Sequence, residues 1–398
     1  MREMKDSGVE WLGEVPSRWK LHRAKRLFKL TNDRGNDDLT LLAATQKHGM
    51  WPQDRLEGVV RVKDDTDLSR FRTVHKNDFV ISLRSFQGGF ERSDFEGVCS
   101  PAYQTFRSIK PIDYQFYKYL FKSPSFIDHM NSLTLGIREG KTIKFEDFAA
   151  QVLPMPPLDE QRRIADYLDE KCAEIDRAVS AAERSIEELN LYRSARLEEV
   201  ITRVSHEAPR EKLKYVLKES KDKSPDGIGE PLSITIARGV LRSAELSIPN
   251  PTSSLVGAKI VHAGDLVFNK LKAYYGVMYV SPYNGLISPE YAVYRAIDMG
   301  RTSLKYLEYV FHTAAMIDEF IIRISGVADG FRRLYTSDLF DIAVPVPSIE
   351  VQRGIVAELD DLYASIFEST EAKQAIIADL KAYKQSLIYE VVTGKREV

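Results

Sequence analysis

The stretch LPMPPLDEQRRIADYLD, residues 153–169, decides the fold because it recurs near the other end of the chain. Residues 344–360 read VPVPSIEVQRGIVAELD, with the same Pro-x-Pro, a short acidic step, the same Gln-Arg pair and similar apolar spacing. Apolar residues three or four positions apart after an acidic step predict that each copy opens a helix. The repetition indicates that the chain contains one structural unit twice.

The similarity between the two halves extends upstream of these stretches. Three further pairs of segments match in the same order, namely TVHKNDFVIS (73–82) with IVHAGDLVFN (260–269), CSPAYQTFRSI (99–109) with ISPEYAVYRAI (287–297), and GIREGKTIKFEDF (136–148) with GVADGFRRLYTSDL (326–339). The offset drifts from 187 to 191 positions, as a duplication with small loop changes would produce. Each half begins with short alternating apolar runs separated by turn residues, which predict strands and loops before a short helical stretch.

Two long helices are the clearest prediction from periodicity. One apolar stripe runs from Ile164 to Val200, and a second runs from Ile355 to Val391. At 1.5 Å per residue, each helix would be roughly 60–70 Å long. A helix with one apolar stripe must bury that stripe against a partner. The other copy supplies a partner, which predicts an intramolecular antiparallel coiled coil with a globular head at each end; the alternative is two separate amphipathic helices, each packed on its own domain.

The predicted fold class is α+β, with two pseudo-repeated mixed α/β domains joined by two long helices that form an antiparallel coiled coil. The predicted boundaries are 1–157 (head 1), 158–206 (central spacer helix), 207–346 (head 2) and 347–398 (C-terminal spacer helix). A chain of 398 residues is long enough for two separate cores.

Composition favours a soluble cytoplasmic protein. An apolar content of 43% and a charged content of 29% are typical of globular domains, and no segment resembles a membrane span or a signal peptide. We therefore expect Cys99 and Cys172 to be reduced thiols. The net charge is −2, but residues 159–204 carry −4 and residues 348–398 carry −3, which leaves about +5 on the remainder. This distribution permits a phosphate-binding surface on the heads.

Searches for catalytic and metal-binding motifs find no active site. SPAY (100–103) and SPEY (288–291) resemble the [Asp/Asn/Ser]-Pro-Pro-[Tyr/Phe] loop of base-modifying methyltransferases, but both lack the second proline, and we interpret each as a turn that enters a strand. The chain has no P-loop and no His or Cys pair at metal-ligand spacing. His75 and His262 recur at equivalent places, where we expect a structural hydrogen bond rather than a metal ligand. No catalytic residue and no metal site is predicted.

With these features, the chain resembles the specificity (S) subunits of type I restriction–modification systems. The resemblance is carried by KDSGVEWLGEVPSRWKLHRAKRLF (5–28), PMPPLDEQRRIADYLDEKCAEID (154–176) and YKQSLIYEVVTGKREV (383–398), and it covers essentially the whole chain. The second copy of the spacer motif departs from the family pattern, because Val351 replaces the Glu and only one of the paired prolines is present.

The resemblance implies a DNA sequence-specificity subunit in which each head is a target-recognition domain for one half of a bipartite site in double-stranded DNA. The spacers would dock two methylase (M) subunits, and restriction (R) subunits would complete the complex. Methylation and cleavage would reside in those partners, so this chain is expected to be non-catalytic and to carry no cofactor, while S-adenosylmethionine, ATP and Mg are expected in the partner subunits. Independently, two readers about 34–36 Å apart on DNA need a rigid connection.

Three alternatives stay open. The chain could be a non-catalytic two-headed scaffold that binds protein partners, or the specificity subunit of a methylation-only system. It could also be a diverged methyltransferase that uses SPAY, in which case the purified chain would bind S-adenosylmethionine.

Candidate DNA contacts come from loops that differ between the heads, because readers of different half-sites need different side chains. Arg and Lys favour guanine edges, and Asn and Gln favour adenine. The candidates in head 1 are Lys47, His48, Arg84, Ser85, Gln87, Arg138 and Lys141. The candidates in head 2 are Arg238, Asn269, Lys270, Lys272, Tyr274, Arg332 and Arg333. For any single one of them, a solvated surface side chain is an equally good interpretation.

Overall fold

The computed structural model describes residues 2–36, 38–45, 48–56, 68–82, 89–133, 143–236, 238–246, 255–324 and 333–398. The chain divides into two compact units. Unit 1 comprises Met1–Ala182 and Ala375–Val398, and unit 2 comprises Glu183–Gln374. Within the described ranges, no helix has both the length and the apolar character needed to cross a membrane.

Unit 1 contains small antiparallel sheets, short helices and the beginning of a long helix. Its strands are β1 (Met4–Asp6), β2 (Glu14–Pro16), β3 (Lys20–Arg23), β4 (Phe28–Thr31), β5 (Leu42–Thr45), β6 (Gly49–Pro52), β7 (Arg72–Val74), β8 (Phe79–Ile81), β9 (Phe90–Arg92), β10 (Gly97–Cys99), β11 (Gln104–Ser108) and β12 (Val152–Met155). Its helices are α1 (Tyr114–Lys122), α2 (Pro124–Ser132), α3 (Phe145–Ala150) and the first part of α4 (Leu158–Ser205). The largest sheet has the order β4-β11-β8-β9, and buried Phe28, Phe79 and Phe106 connect it to the core.

Unit 2 repeats this arrangement. Its strands are β13 (Arg210–Lys212), β14 (Leu217–Glu219), β15 (Leu232–Thr235), β16 (Gly239–Arg242), β17 (Lys259–Val261), β18 (Leu266–Phe268), β19 (Met278–Val280), β20 (Gly285–Ile287), β21 (Ala292–Ala296) and β22 (Ala343–Pro345). Its remaining helices are α5 (Leu304–Phe311), α6 (Ala314–Arg323), α7 (Thr336–Phe340) and the first part of α8 (Ile349–Val392).

Apart from the β1–β2 pair of unit 1, the sheets of the two units correspond strand for strand. The order β14-β21-β18-β19 matches β4-β11-β8-β9, and the pairs β3–β12, β5–β6 and β7–β10 recur as β13–β22, β15–β16 and β17–β20. SPAY and SPEY each form a turn directly before β11 or β21, with Tyr103 N–H donating to Ser100 O at 3.0 Å and Tyr291 N–H to Ser288 O at 3.1 Å. The predicted duplication and the interpretation of both segments as turns are confirmed.

The two long helices run antiparallel within each unit. In unit 1, the Lys384 Nζ of α8 lies 2.7 Å from the Asp176 carboxylate of α4. In unit 2, Arg203 Nη2 donates to Glu358 at 2.8 Å, while the earlier Arg193 stacks over the later Tyr363. The predicted coiled coil is confirmed. The helix ends also pack on their own domains, because Ile164 and Leu168 belong to the core of head 1 and Leu197 and Val200 to the core of head 2.

In unit 1, the N-terminal segment of the chain contacts the first turn of α4 and also binds the C-terminal segment. Glu160 is 3% exposed, and its Oε2 accepts a hydrogen bond from Trp19 Nε1–H at 3.0 Å. Its Oε1 lies 2.9 Å from Arg2 Nη1 and 2.8 Å from Arg18 Nη2. Arg2 Nε also donates to the carbonyl oxygen of Gly394 at 3.0 Å. One buried carboxylate therefore joins three segments that are distant in sequence.

This arrangement explains why the second copy of the spacer motif carries Val351. The residues that bind Glu160 lie on or next to β1 and β2, and the described part of unit 2 has no counterpart of that strand pair. Val351 is 43% exposed. A carboxylate at this position would therefore have no buried hydrogen-bond donor to bind.

Gly354 lies within α8, where an added methyl group would meet no atom within 4 Å. Glycine in a helix interior lowers stability relative to alanine because the unfolded chain has more backbone freedom. We expect Gly354→Ala to raise the free energy of unfolding by about 0.5–1 kcal/mol, measured by urea denaturation followed by the helical circular-dichroism signal. A loss of stability would instead show that the small residue is needed in the folded chain.

Candidate nucleic-acid interface

Corresponding hairpins in the two heads carry His48 and Arg238 at their tips. Thr45 ends β5 and Thr235 ends β15. The Thr45 hydroxyl accepts a hydrogen bond from the backbone N–H of His48 at 3.0 Å, and the Thr235 hydroxyl accepts one from Arg238 at 3.1 Å. Both heads therefore use the same side-chain-to-backbone contact to close the turn.

The glycine that follows each tip residue completes the turn. Gly49 has φ 72° and Gly239 has φ 67°, in the left-handed region that favours glycine. A Cβ on Gly49 would lie 2.7 Å from the carbonyl oxygen of Arg92, and one on Gly239 would lie 3.2 Å from the Tyr279 ring. The Tyr279 hydroxyl also donates to the carbonyl oxygen of Ile236 at 2.6 Å. Each tip is thus held against the adjacent strand, β9 or β19.

The side chains at the two tips differ in chemistry while their backbone contacts agree. His48 is exposed, with its ring 4.9 Å from the half-buried Trp51 ring. Arg238 is exposed, with Nη2 3.8 Å from Glu245. Imidazole and guanidinium groups can both contact base edges or phosphates, and guanidinium can donate two hydrogen bonds to guanine. The arrangement is suited to presenting different recognition groups on one scaffold.

Seven of the sequence candidates lie outside the described residues. They are Lys47, Arg84, Ser85, Gln87, Arg138, Lys141 and Arg332. Their role in DNA binding stays a prediction, and the same holds for the candidates that the structure describes.

Asn269 caps a short 3-10 helix over residues 270–275. It is 7% exposed, and its Oδ1 accepts hydrogen bonds from the backbone N–H groups of Leu271 and Lys272 at 3.1 and 3.2 Å. The amide oxygen is therefore used within the protein, in the capping role that Asn commonly has. Lys272 is exposed. The half-buried Tyr274 lies with its ring 4.3 Å from that of Tyr275.

Lys270 and Arg333 lie close together beside this short helix, because Leu334 N–H donates to the carbonyl oxygen of Lys270 at 3.1 Å. Both cations face carboxylates. Lys270 Nζ is 3.5 Å from Glu219, and Arg333 Nη2 is 2.9 Å from Glu290. A phosphate would have to compete with these carboxylates for either side chain.

Head 1 contains an ion cluster that was not predicted from the sequence. The guanidinium of Arg107 on β11 binds Asp78 through two hydrogen bonds of 2.9 and 2.8 Å and lies 3.4 Å from Asp33. The hydrogen bonds to Asp78 raise the pKa of Arg107. Asp78 is 2% exposed and also accepts a hydrogen bond from His75 N–H at 3.0 Å. The His75 ring lies 2.9 Å from Glu96.

Head 2 contains the same cluster. Arg295 on β21 binds Asp265 at 2.9 and 3.1 Å and Asp222 at 2.9 Å, and its Nη2 lies 2.7 Å from His262 Nδ1. Asp265 accepts from His262 N–H at 2.9 Å. The expected structural hydrogen bonds of both histidines are confirmed. Because two carboxylates face one guanidinium, this cluster is unsuited to phosphate, and its residues instead hold the strands together.

Both cysteines are free thiols and buried. Burial raises the pKa of Cys99 to about 12 and also raises that of Cys172. The thiolate is the reactive form, so neither thiol is set up as a nucleophile.

The chain is similar to one protein-family model and to solved structures of type I R-M proteins. Residues 18–182 match the model of the type I restriction modification DNA specificity domain. A chain from a type I R-M system, studied for complex assembly and conformational transition, has a TM-score of 0.72 and 18% identity, covering 96% of this chain and 99% of that chain. The HsdS subunit from Thermoanaerobacter tengcongensis has a TM-score of 0.56 and 17% identity, covering 98% and 100%. No curated protein sequence matches significantly.

Proposed function

We propose that this chain is a type I restriction–modification specificity subunit in which head 1 and head 2 each recognise one half of a bipartite DNA site. The match of residues 18–182 to the type I restriction modification DNA specificity domain supports this proposal. The observation that carries this proposal is the duplicated tip turn, which presents His48 in one head and Arg238 in the other from the same hydrogen-bonded backbone. Recognition of two different half-sites requires different side chains at base edges, whereas the scaffold that positions them can stay the same.

The long helices are proposed to dock two methylase subunits, with restriction subunits completing the complex. Large apolar side chains stay exposed on these helices, including Leu191, Tyr192 and Phe367 in unit 2 and Ile376 and Tyr383 in unit 1. These exposed apolar groups are available for contacts with partner subunits. The similar fold of a chain whose complex assembly has been studied is a further support.

The proposed division of labour leaves this chain non-catalytic and cytoplasmic. S-adenosylmethionine, ATP and Mg²⁺ would be bound by the methylase and restriction subunits, and a methylation-only system would need the first of these alone. In support, both cysteines have raised pKa values, and SPAY and SPEY serve as turns.

The test is the base preference of the chain assembled with its methylase subunits. We expect His48→Ala to weaken discrimination at one half-site and Arg238→Ala at the other, each by about 1–3 kcal/mol, or roughly 5- to 150-fold. Binding would be measured on DNA pools with one half-site randomised at a time, at several salt concentrations, because phosphate contacts depend steeply on salt.

Lys76→Ala is a matched control, since Lys76 is an exposed cation on a turn of head 1 whose counterpart in head 2 is Ala263. It should change neither preference. If both tip variants altered the same half-site, or neither, the assignment of one reader to each head would be wrong. Wild-type binding without any sequence preference would instead favour the protein-scaffold alternative.

A further inference from the structure

A buried glutamine connects head 1 to its spacer. Gln161 lies in the first turn of α4 and is fully buried. Its Oε1 accepts the backbone N–H of Asp113, the residue before α1, at 2.8 Å. Its Nε2 donates to the carbonyl oxygen of Pro156 at 2.8 Å. The hydroxyl of buried Tyr117 in α1 donates to the carbonyl oxygen of Pro154 at 3.0 Å. Helix α1, the Pro-x-Pro segment and α4 are thus joined by three directional contacts.

The same contacts occur in unit 2. Gln352 is fully buried in the first turn of α8. Its Oε1 accepts the backbone N–H of Ser303, the residue before α5, at 2.8 Å, and its Nε2 donates to the carbonyl oxygen of Pro347 at 2.8 Å. The Tyr306 hydroxyl donates to the carbonyl oxygen of Pro345 at 3.1 Å. These three hydrogen bonds have counterparts in unit 1 with the same donor and acceptor types, and Gln352 Nε2 also donates to the carbonyl oxygen of Arg301 at 3.0 Å.

A second tyrosine in each unit reaches the spacer about two turns further on. The Tyr119 hydroxyl donates to Asp169 Oδ1 at 2.6 Å, and the Tyr309 hydroxyl donates to Asp360 Oδ1 at 2.5 Å. Burial, together with the hydrogen bond to the carboxylate, raises the pKa of each tyrosine. Both phenols therefore stay protonated and can act as donors. We call these hydrogen bonds, with those of the glutamine and the first tyrosine, the head–spacer seam.

The seam has a different physical role from the apolar core around it. Apolar burial holds a head on its spacer but is non-directional, so it tolerates small rotations. Hydrogen bonds weaken steeply when their angle or distance changes, and a buried group left unpaired costs about 1–3 kcal/mol. The contacts of Gln161 recur in Gln352 although the neighbouring Glu160 is replaced by Val351. The two copies therefore share the glutamine and its hydrogen bonds but differ at the residue before it.

We propose that Gln161 with Tyr117 and Gln352 with Tyr306 are positioning residues that fix the angle of each head on its own spacer, and thereby restrict the complex to one gap length between half-sites. This inference rests on the proposed function in DNA recognition. The tip turns would decide which bases are recognised, and the seam would decide how far apart the two half-sites must lie.

The test uses the full chain assembled with its methylase subunits and DNA duplexes that keep both half-sites but vary the gap by one base pair at a time. We expect Gln161→Leu, which keeps the volume and removes both hydrogen bonds, to leave the recognised bases unchanged. Binding to the neighbouring gap lengths should rise roughly tenfold relative to the native gap. Gln352→Leu should act in the same way through the other head.

Gln53→Leu is the matched control, because Gln53 is a buried glutamine within head 1 that lies away from the seam; its gap profile should equal that of the wild type. If Gln161→Leu weakened binding equally at every gap length, the seam would be structural only and the proposal overturned. Should Gln161→Leu fail to fold, Tyr117→Phe removes the hydroxyl that donates to the carbonyl oxygen of Pro154 and decides the question by the same profile. A wild-type complex without preference for a bipartite site would contradict the proposed function instead.

Discussion

Replacing Glu160 by alanine is expected to lower the free energy of unfolding of unit 1 by about 4 kcal/mol. The variant leaves the buried indole N–H of Trp19 without its acceptor and removes the carboxylate that faces Arg2, whose side chain is only 16% exposed. Losing one partner of a buried, hydrogen-bonded charge is costly because the other partner stays desolvated. Arg18 is more than half exposed, so its pairing contributes little.

Tryptophan fluorescence can isolate this effect, because the three tryptophans of the chain, Trp11, Trp19 and Trp51, all lie in unit 1. Urea unfolding followed at that signal therefore reports unit 1 alone. Asp159→Ala is the control, since it removes an exposed acidic residue from the same first turn of α4 and should cost at most about 1 kcal/mol through the helix dipole. Equal losses in both variants would mean that Glu160 acts only on the dipole.

Gly394→Ala is expected to destabilise unit 1 by a similar amount, about 4 kcal/mol. Gly394 has φ 76°, and a Cβ there would lie 2.5 Å from Pro16 Cδ and 2.9 Å from the Trp19 ring. The left-handed conformation costs a side-chain-bearing residue about 1–2 kcal/mol, and overpacking adds about 1–3 kcal/mol. Neither Pro16 nor buried Trp19 is a flexible side chain that could move aside.

Gly8→Ala separates these two contributions. Gly8 has φ 69° in the same unit, but a Cβ on it would meet no atom within 4 Å. The same fluorescence-detected unfolding should therefore show a loss of only about 1–2 kcal/mol for Gly8→Ala. If Gly394→Ala cost no more than this control, the close packing of the C-terminal segment on Trp19 would be absent in solution.

The repeated elements could be predicted from the sequence because they are written in local patterns. Apolar periodicity predicted α4 and α8, and the offset matches predicted that the chain contains one structural unit twice. The contacts that the repeated residues make are with residues distant in sequence. Gln161 was visible as part of a repeated Gln-Arg pair, but its partner Asp113 lies 48 positions away. Glu160 belongs to the acidic step that predicted a helix start, whereas its contacts are to Trp19 and Arg2 near the N-terminus.

The candidate site was less accessible to sequence reasoning. The choice of diverging loops led to His48 and Arg238, whose shared turn depends on Thr45, Thr235 and a following glycine. The same criterion also selected Asn269, because an Asn that caps a helix and an Asn that contacts adenine look identical in a single sequence. Composition marks a residue as polar, but only its neighbours show whether its hydrogen-bonding groups are already used.

The head–spacer seam has a practical consequence for building hybrid proteins from such chains. A junction after residue 157 would transplant a head without the glutamine that binds both Asp113 and Pro156. A junction after Asp169 would move the head together with Gln161 and the carboxylate that accepts from Tyr119. The transferable module is therefore the head plus the first three turns of its spacer, and grafts that respect this border should need no redesign of the contact.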